Sequence, residues 1–469
     1  MRLDIPDEIL PVGNLGRVHF IGIGGAGLSG IARLMTQLGI SVSGSDQTDS
    51  GLLAALRDEG ITCFVGHDAA HLDGVDTVIA STAVHGDNPE IVEAQRRGLR
   101  LWPRSAGLQS VLAGHRTIAV AGTHGKTTTT AMLTMALTAA GADPSFAIGA
   151  EVASLGSNAR KGDGDLFVAE ADESDGAFLV YTPAGAVVTN VDADHLDNYG
   201  TVAAYEEAFG EFVSHIGEFV VLCADDPGAV RLLDQVRSFE LDITTAGFTS
   251  GANVRGSDLE VDARGTTFSV ARDGVPLGRV ELQVPGQHFA VDALLALGAG
   301  LATGHDFDQL AAGLARFTGA KRRMEALGEV GGVHVFDSYA HHPTEIRADL
   351  AAARAIAGKD RLVVAFQPHL VSRTRLFGTQ MGVELGAADV VVVADIYLAR
   401  EDRDPAVTAQ LILNALDGAE AISGGDILGL PERLAELIRP GDLLLTLGAG
   451  DITTVGPKVL DLLRERDRT

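Results

Sequence analysis

The sequence is poor in cysteine and in basic residues. Its 469 residues include only two cysteines, Cys63 and Cys223, which lie far apart and lack the spacing of a metal-binding motif. We therefore expect both thiols to be reduced and structural, as is usual in the cytoplasm. Lysine and arginine total 36 against 63 aspartates and glutamates, which gives a net charge of −27. Because nucleic-acid-binding proteins need a basic face, this balance argues against a nucleic-acid partner.

Long apolar runs are also absent. No stretch approaches the roughly 20 apolar residues of a membrane-spanning helix, and residues 1–20 lack the basic start and apolar run of a signal peptide. The composition, 46% hydrophobic and 21% charged, is typical of a globular protein. The length suffices for about three domains. We expect a cytoplasmic protein without membrane insertion.

The most informative stretch, residues 117–130, has the pattern of a strand, a phosphate-binding loop and a helix. An apolar, β-branched run leads to Gly122 and Gly125, and an apolar-periodic segment follows. Glycines let backbone N–H groups turn toward an anion, and the helix N-terminus adds the positive end of its dipole. The loop is shorter than the usual motif, since Val120 stands at the position of its first glycine. The alternative is a glycine turn that merely precedes a helix, and the flanking strand and helix favour the nucleotide site.

Polar side chains complete this prediction of a nucleoside triphosphate site. Lys126 would reach the terminal phosphates, and Thr127 would offer its hydroxyl group to Mg²⁺. The residues expected at the nucleotide are Gly122, Thr123, His124, Gly125, Lys126, Thr127 and Thr128.

An earlier stretch, residues 18–46, has the pattern of a Rossmann-type nucleotide site. A strand runs into G-x-G-x-x-G, a helical pattern follows, and a second strand ends at Asp46. An acidic residue about 20 positions beyond such glycines binds a ribose in Rossmann folds. The alternative is a turn that only packs a helix closely on its sheet, and the motif does not specify NAD. The glycine loop comprises Gly22, Gly24, Gly25, Ala26 and Gly27.

Acidic residues follow two predicted strands of the region that carries the phosphate-binding loop. Glu170 opens the cluster at 170–175, and a second cluster at 190–197 contains His195. Carboxylates at the carboxyl ends of parallel strands are well placed to hold Mg²⁺ beside phosphates. A single such acid would more often be a solvated loop residue, but two clusters favour a metal site. The role of His195 stays open on physical grounds, because Mg²⁺ prefers oxygen ligands.

The remaining pattern predicts an α/β protein of three domains. Alternating segments at 241–285 predict a small β region, and four apolar strands separated by helical patterns predict a parallel sheet after residue 322. A break in the pattern at 101–105 suggests the first boundary. Polar groups cluster at strand ends of the last domain: Tyr339, His341, His342, Gln367, His369, Arg373 and Arg375.

Five motifs in this order resemble those of the Mur ligases of peptidoglycan synthesis. They stand at 19–27, 122–129, 170–175, 190–197 and 339–345, and the resemblance runs from Ile21 to Asp451. It implies the Mur ligase architecture: an N-terminal Rossmann-like domain for a UDP-sugar, a central P-loop ATPase-like domain and a C-terminal Rossmann-like domain. The predicted bounds of these domains are 1–106, 107–321 and 322–469.

The resemblance also implies the reaction. The motifs are similar to those of the members that join L-alanine to the lactyl carboxylate of UDP-N-acetylmuramate. ATP would convert the carboxylate to an acyl phosphate, the amine of alanine would attack it, and ADP and phosphate would be released. Mg²⁺, with Mn²⁺ as an alternative, is the implied metal cofactor, and a monomer or weak homodimer is the implied assembly.

Site residues follow from the resemblance position by position. The implied catalytic residues are Lys126, Glu170, His195, Arg323, His341 and Arg373, of which Glu170 and His195 join Thr127 as magnesium ligands. Besides the loop residues 122–128, the nucleotide would contact Asp292, Arg323 and Asp337. Besides the glycine loop 22–27, the sugar nucleotide would contact Asp46, Ser81 and Asn88, and alanine would lie near Tyr339, His341 and Arg373.

The chain departs from the family pattern at four positions. Phe289 and Asp292 replace an asparagine pair near the adenosine, Ser338 replaces the second of two acids before Tyr339, and Leu370 replaces an arginine. An ionised aspartate only accepts hydrogen bonds, so Asp292 would suit the adenine amine or a ribose hydroxyl group. The alternative is that Asp292 caps the following helix, predicted to begin near 291.

Three other functions compete with this interpretation. A related ligase attaches a whole peptide to the same sugar nucleotide, but the residues of the motifs around Ser174 and His195 favour the enzyme that adds a single amino acid. An NAD-dependent oxidoreductase would explain the glycine loop but not a second nucleotide site. A non-catalytic nucleotide-binding regulator would have no use for the set of Lys126, Glu170 and His195.

Overall fold

The computed structural model describes residues 3–81, 84–174, 176–399 and 401–467. The chain forms two compact units. The first contains residues 1–256, 270–278 and 291–316, and the second contains residues 257–269, 279–290 and 317–469. Within the described ranges, no helix has the length and apolar character needed to cross a membrane.

The N-terminal sheet is entirely parallel, with the order β3-β2-β1-β4-β5. Its strands are β1 (Val18–Ile21), β2 (Val42–Asp46), β3 (Thr62–Val65), β4 (Thr77–Ala80) and β5 (Arg100–Pro103). The helices are α1 (Ala26–Gln37), α2 (Gly51–Asp58), α3 (Pro89–Arg97) and α4 (Arg104–Leu112). All residues of β1 and β4 are buried, as expected for strands covered on both faces.

The segment 101–105, where the sequence pattern breaks, contains the end of β5 and the start of α4. Pro103 ends β5, which has a partner only on one side, and also precedes the first turn of α4. Both are positions where the missing N–H group of proline costs little. Residue 106 therefore lies inside α4, and the segment between α4 and the next strand is 113–115. The domain bounds given above remain predictions.

The central sheet has ten strands in the order β15-β14-β13-β12-β11-β10-β6-β9-β7-β8. The first five are β6 (Arg116–Ala121), β7 (Ser145–Val152), β8 (Ser157–Arg160), β9 (Leu166–Glu170) and β10 (Gly185–Val188). The others are β11 (Phe219–Cys223), β12 (Asp242–Gly247), β13 (Val254–Asp262), β14 (Gly265–Arg272) and β15 (Val275–Leu282). The predicted β region at 241–285 is thus confirmed as the strands β12 to β15.

In the part of the chain that the structure describes, six α-helices accompany this sheet. They are α5 (Lys126–Ala139), α6 (Leu196–Tyr199), α7 (Val202–Ser214), α8 (Pro227–Val236), α9 (Gln287–Ala302) and α10 (Phe307–Leu314). Because α9 begins at Gln287, Asp292 lies inside this helix. The prediction that Asp292 caps the helix is therefore wrong: the Pro-Gly pair at 285–286 ends the preceding segment, and the helix starts earlier than its apolar pattern suggests.

The C-terminal sheet has the order β16-β17-β21-β18-β19-β20, and all its pairs are parallel except β16 with β17. Its strands are β16 (Glu325–Val330), β17 (Val333–Ser338), β18 (Leu362–Phe366), β19 (Val390–Ala394), β20 (Glu420–Gly425) and β21 (Leu443–Leu447). The helices are α11 (Pro343–Ala357), α12 (Val371–Leu385), α13 (Gln410–Leu413), α14 (Leu430–Leu437) and α15 (Val455–Asp467). The predicted parallel α/β sheet is confirmed, with one antiparallel strand added at its edge.

The N-terminal and central sheets share one apolar core. Buried side chains of α1, such as Leu28 and Ile31, belong to the same cluster as Ala147 on β7 and Phe167 on β9. The C-terminal sheet has a core of its own, built from its strands together with α14 and α15.

Candidate active site

The phosphate-binding loop lies between β6 and α5, as predicted. Its two glycines have positive φ angles, +136° at Gly122 and +80° at Gly125. A Cβ atom at Gly122 would lie 2.0 Å from Oγ1 of Thr189, and one at Gly125 would lie 2.6 Å from Oδ1 of Asp292. The loop thus requires glycine at both positions, for its backbone angles and for the closeness of its neighbours.

Lys126 opens α5 and points back over the loop. Its Nζ donates to the carbonyl oxygens of Gly122 and Thr123, at 2.6 and 3.0 Å. It also lies 2.7 Å from Oε2 of Glu173, whose side chain is fully buried. Although burial lowers the pKa of Lys126, the negative charges of Glu173 and Asp172 more than offset this and raise it. The lysine is therefore charged and already aimed at the loop.

Thr127 and Glu170 form an oxygen pair beside this lysine. The Thr127 hydroxyl group donates to both carboxylate oxygens of Glu170, at 3.0 and 3.1 Å, and Oε2 of Glu170 also accepts from the backbone N–H group of Gly149 at 2.7 Å. Hydroxyl and carboxylate oxygens are the ligands that Mg²⁺ prefers. The structure thus brings two of the three predicted magnesium ligands together.

The third predicted ligand, His195, lies against a residue that the sequence analysis did not assign. Its Nε2 is 3.6 Å from Oε1 of Glu173 and 3.6 Å from Oδ2 of Asp194. Burial raises the pKa of Glu173 to about 7, against the effect of Lys126. Glu173 therefore joins Lys126 to His195. Asp175, part of the same predicted acidic cluster, lies outside the described residues.

The loop is fixed from the side of β10. The Asn190 side chain accepts from the backbone N–H group of His124 and donates to its carbonyl oxygen, each at 2.9 Å. The Thr123 hydroxyl group bonds to the carbonyl oxygen of Asp192 at 2.9 Å and to the hydroxyl group of Tyr205 at 2.8 Å. These bonds tie the loop to the segment that follows β10 and to Tyr205 on α7.

Asp292 reaches the start of α5. Its Oδ1 accepts from the Thr129 hydroxyl group at 3.1 Å, and the side chain is 7% exposed. With the contact at Gly125, this places Asp292 against the phosphate-binding loop rather than at a helix end. Phe289, the other departure in this region, is 1% exposed and is a core residue.

The glycine loop of the N-terminal sheet is closed by Asp46. Oδ2 of Asp46 accepts from the backbone N–H group of Gly24 at 2.9 Å, and a Cβ atom on Gly24 would lie 2.8 Å from that oxygen. Ser81 follows β4 at the same edge, 3.3 Å from the position a Cβ atom of Gly22 would take. The structure therefore brings together Gly22, Gly24, Asp46 and Ser81.

Asn88 has a structural contact in the same domain. Its Oδ1 accepts from the backbone N–H group of Glu90 at 2.9 Å, so it caps α3, with Pro89 at the first helical position. The structure thus gives Asn88 the role of a helix cap.

Arg104 connects the glycine loop to the acidic cluster. It opens α4, and its guanidinium group lies where a side chain at Gly27 would stand, 2.7 Å from that Cβ position. The same group donates to Oδ2 of Asp172 at 2.6 Å. Although burial acts to raise the pKa of Asp172, the charges of Arg104 and Lys126 hold it below its usual range. No pattern in the sequence pointed to Arg104.

In the second unit, Tyr339 lies between two arginines. The guanidinium carbons of Arg322 and Arg323 are 4.8 and 5.4 Å from the centre of its ring. Asp337 is 1% exposed and accepts from Thr446 at 2.6 Å, besides Thr453 and Arg322. Because the Asp337 carboxylate already accepts hydrogen bonds from these three side chains, its predicted contact with the nucleotide would require some of these bonds to break.

The residues predicted near alanine form one group. Nδ1 of His341 bonds to the carbonyl oxygen of Tyr339 at 2.9 Å, and the rings of His341 and His369 are 6.0 Å apart. Arg373 on α12 is 7% exposed and contacts Nδ1 of His369 at 3.3 Å. Leu370, at the family arginine position, is buried with φ +68°. His369 links the predicted residues, and Leu370 packs inward.

Comparison with known families settles the classification. Three models match in order: the Mur ligase family catalytic domain over residues 17–116, the Mur ligase middle domain over 120–300, and the Mur ligase glutamate ligase domain over 322–450. The chain belongs to the Mur ligase family. The resemblance and the three-domain α/β Mur ligase fold predicted from the sequence are confirmed.

Related Mur ligases match over nearly their whole length. A Nocardioides protein named UDP-N-acetylmuramate–L-alanine ligase is 57% identical over 467 residues, covering 99% of this chain and 100% of that protein. One of the same name from Cutibacterium acnes is 48% identical, covering 99% of both chains. A solved UDP-N-acetylmuramate–alanine ligase from Thermotoga maritima is 30% identical with a TM-score of 0.81, covering 97% of this chain and 100% of that one.

A second Mur ligase specificity is represented among the solved structures. A murein peptide ligase from Psychrobacter arcticus is 25% identical with a TM-score of 0.72, covering 96% of this chain and 98% of that one. The Psychrobacter arcticus protein thus shares the fold of this Mur ligase at a lower sequence identity than the Thermotoga maritima protein.

Proposed function

We propose that this Mur ligase joins L-alanine to UDP-N-acetylmuramate with conversion of ATP to ADP and phosphate. The observation that carries the proposal is the arrangement of Lys126 over the loop with Thr127 and Glu170 beside it. The names of relatives at 47–57% identity support the substrates. The site residues predicted above are part of this proposal.

The geometry suits phosphoryl transfer, which needs positioning and charge neutralisation rather than a protein nucleophile. Lys126 would stabilise the charge that develops on the terminal phosphate as the muramyl carboxylate attacks. The amine of alanine then attacks the acyl carbon, and its C–N bond replaces the bond to phosphate, which leaves as inorganic phosphate. Arg323 and Arg373 supply positive charge in the second unit.

The donor set around Glu170 fits Mg²⁺. Thr127 and Glu170 offer hydroxyl and carboxylate oxygens within 3.1 Å of each other, and we propose that His195 contributes to a further metal position. When bound, Mg²⁺ would neutralise the charge of the phosphate oxygens. Mn²⁺ has similar ligand preferences and would substitute.

We further propose a cytoplasmic enzyme, since ATP and UDP-sugars are substrates found there, and a monomer or weak homodimer. Sedimentation at several protein concentrations measures the second point. A stable tetramer would overturn it.

A phosphate-release assay tests the function. The protein is incubated with ATP, Mg²⁺ and UDP-N-acetylmuramate. One acceptor is then added at a time: L-alanine, glycine, L-serine or a tripeptide of the peptidoglycan type. We expect release to depend on the sugar nucleotide and to be fastest with alanine. Release with the tripeptide alone would assign the peptide-adding function, and a change in nicotinamide absorbance with added NAD would indicate an oxidoreductase.

A further inference from the structure

Glu173 is a buried carboxylate beside the phosphate-binding loop. It lies in the segment that follows β9, and its side chain is fully buried. Its Oε2 is 2.7 Å from Nζ of Lys126, and its Oε1 is 3.6 Å from Nε2 of His195. These three residues and the phosphate-binding loop all belong to the first unit. The contact between Glu173 and Lys126 is therefore internal to that unit.

The position of Glu173 is fixed from α6 and α7. The hydroxyl group of Tyr199 donates to the backbone carbonyl oxygen of Glu173 at 2.5 Å, and the hydroxyl group of Tyr205 is 3.5 Å from Oε1 of its side chain. Tyr205 is fully buried, and its hydroxyl group also bonds to Thr123 of the loop at 2.8 Å. The same tyrosine thus ties the carboxylate to the loop that Lys126 follows.

The alternative is that Glu173 only satisfies a buried lysine. Lys126 already donates to the carbonyl oxygens of Gly122 and Thr123, and the side-chain carbonyl oxygen of a glutamine would accept a third hydrogen bond from it. A carboxylate costs more to bury than an amide, and its negative charge repels a phosphate group that enters the loop. A carboxylate at this position is better explained by a task in the reaction than by packing.

A second alternative is that Glu173 is a metal ligand. The ammonium group of Lys126 lies 2.7 Å from Oε2, so a divalent cation bound to that oxygen would lie next to a positive charge. Glu170 differs in this respect, because both its oxygens accept from the neutral hydroxyl group of Thr127. The geometry thus gives the two acids different partners: Glu170 lies with the proposed magnesium ligand and Glu173 with the lysine.

We propose that Glu173 is a positioning residue that holds Lys126 for transfer of the terminal phosphate, at the expense of ATP binding. Nζ of Lys126 has three N–H donors, so it can exchange a loop carbonyl oxygen for a phosphate oxygen and keep its contact with Glu173. Its charge is then in place when charge develops in the transition state. In the ground state, the carboxylate repels the phosphate group.

The inference rests on the proposed function, because it presupposes that the terminal phosphate of ATP is transferred at this loop. Glu173→Gln tests it, since this change keeps the shape of the side chain and removes its charge. We expect kcat for phosphate release to fall at least ~tenfold, the equivalent of one charge-assisted hydrogen bond.

Binding should respond differently from turnover. Calorimetry with a non-hydrolysable ATP analogue and Mg²⁺ should give Glu173→Gln a Kd equal to the wild-type value or lower. The removal of a negative charge beside the phosphate offsets the cost of ordering the freed lysine. A residue that only stabilises the loop would instead raise the Kd and lower the melting temperature, with kcat at saturating ATP unchanged.

Nuclear magnetic resonance measures the positioning of Lys126 without turnover. The chain has only five lysines, which are Lys126, Lys161, Lys321, Lys359 and Lys458. A protein labelled at lysine therefore gives few side-chain signals, and Lys126→Arg assigns the relevant one by removing it. We expect the Lys126 side chain to be ordered in the wild-type protein and to become mobile on the nanosecond timescale in Glu173→Gln.

Glu218→Gln is the matched control. Glu218 forms an ion pair with Arg116 at 2.6 Å in the same unit, but its side chain is 48% exposed. Exposed pairs contribute little, so kcat, the Kd for the analogue and the Lys126 signal should not change. If Glu173→Gln does not fold, Glu173→Asp keeps the charge but withdraws it from Lys126 by one methylene group. This variant should lower kcat at least ~threefold and also make Lys126 mobile.

The outcomes are distinguishable. A Glu173→Gln protein with kcat within about twofold of the wild-type value would overturn the inference. So would a Lys126 side chain that stays as ordered as in the wild-type protein, or a Kd for the analogue that rises. A wild-type protein that releases no phosphate with any acceptor would refute the proposed function, and the resonance measurement would still decide whether Glu173 positions Lys126.

Discussion

Lys126 is held in place by the buried carboxyl group of Glu173 and by the loop itself. Its Nζ lies 2.7 Å from Glu173 and bonds to two loop carbonyl oxygens. An incoming phosphate group therefore meets a lysine that is already oriented, so that little of the binding energy goes into ordering it.

We expect Lys126→Ala to abolish ligation and to leave binding of the UDP-sugar nearly intact. The lysine is a fixed charge aimed at the loop, and loss of such a contact slows turnover at least ~10²-fold. Steady-state phosphate release and calorimetry with UDP-N-acetylmuramate are the measurements. Lys161→Ala, a change at a lysine with 40% side-chain exposure in the same unit, is the control. A folded Lys126→Ala protein with more than about a tenth of the wild-type rate would remove this lysine from the mechanism.

For single residues, the sequence predicted the roles of Lys126, Thr127 and Glu170 and missed the roles of Glu173 and Arg104. The groups proposed for magnesium and phosphate meet because the ends of β6 and β9 and the start of α5 lie together, and the sequence pattern predicts those ends. These groups belong to Lys126, Thr127 and Glu170. Glu173 and Arg104 matter through their packing, since one is fully buried against Lys126 and the other fills the space beside Gly27. Glu173 lies within the predicted acidic cluster at 170–175, but its pairing with Lys126 depends on the fold, and nothing local in the chain marks Arg104.

Between elements, Arg104 joins α4 to the acidic segment after β9. Its contact with Asp172 at 2.6 Å and its place beside Gly27 put one charge at both the glycine loop and the acidic segment after β9. We expect Arg104→Ala to raise the KM for the UDP-sugar about tenfold, the equivalent of one charge-assisted hydrogen bond. Steady-state kinetics with varied UDP-sugar measures this.

The control for Arg104 is Arg116→Ala. Arg116 makes a comparable ion pair with Glu218 at 2.6 Å, on the exposed surface of the same unit. It should leave all Michaelis constants unchanged, because exposed pairs contribute little. An unchanged KM for the UDP-sugar in Arg104→Ala would show that its pairing with Asp172 is only structural.

Glu90 ties α3 to β2 inside the N-terminal domain. It is fully buried and accepts from Ser45 at 2.6 Å, while His71 lies at 2.7 Å. Burial acts to raise its pKa, but the nearby imidazole of His19 and the hydrogen bonds of Ser45 and His71 lower it from 4.5 to about 2. A pKa that is lower in the folded state stabilises the protein above pH 4.5, and this stabilisation is lost as the pH falls toward 2.

We therefore expect the wild-type protein to lose roughly 3 kcal/mol more stability than Glu90→Gln between pH 5 and pH 2. Urea denaturation across this range measures the difference. Glu207→Gln, at an exposed position of α7, should follow the wild-type curve. Parallel curves for Glu90→Gln and wild type would contradict the assignment.

Elements with strong apolar patterns were predictable, and those shaped by neighbours were not. The buried strands β18, β19 and β21 stand at the residues that their β-branched and leucine runs indicate. The strand β16 contains a glycine and two glutamates, so its sequence does not indicate a strand, and it forms by pairing with β17. The start of α9 likewise depends on a turn rather than on its apolar residues.

For the whole molecule, groups for different substrates lie on different units. The phosphate-binding loop and the glycine loop belong to the first unit, and Tyr339, His341 and Arg373 belong to the second. An acyl phosphate must be kept from water until the amine arrives. We expect ATP and the UDP-sugar to bind before alanine.

Calorimetry measures the order of binding. Alanine titrated into the free enzyme should give no detectable heat, and it should bind once the UDP-sugar and a non-hydrolysable ATP analogue are present. Glycine serves as the matched weaker ligand. Tight binding of alanine to the free enzyme would contradict an ordered mechanism.

Two family models, one over residues 17–116 and one over 120–300, cover the first unit, but their residues share a single apolar core. The helix α1 packs on β7 and β8, and the buried guanidinium group of Arg33 donates to Asn158 at 2.6 Å across the module boundary. A fragment ending before β6 would expose this apolar face to water, so it would aggregate or stay unfolded when expressed alone. On heating, the N-terminal and central sheets should unfold together in a single cooperative transition. A chimaera that exchanges only residues 1–115 for those of a relative would also need that relative's residues on the surface of β7 and β8 that packs against α1.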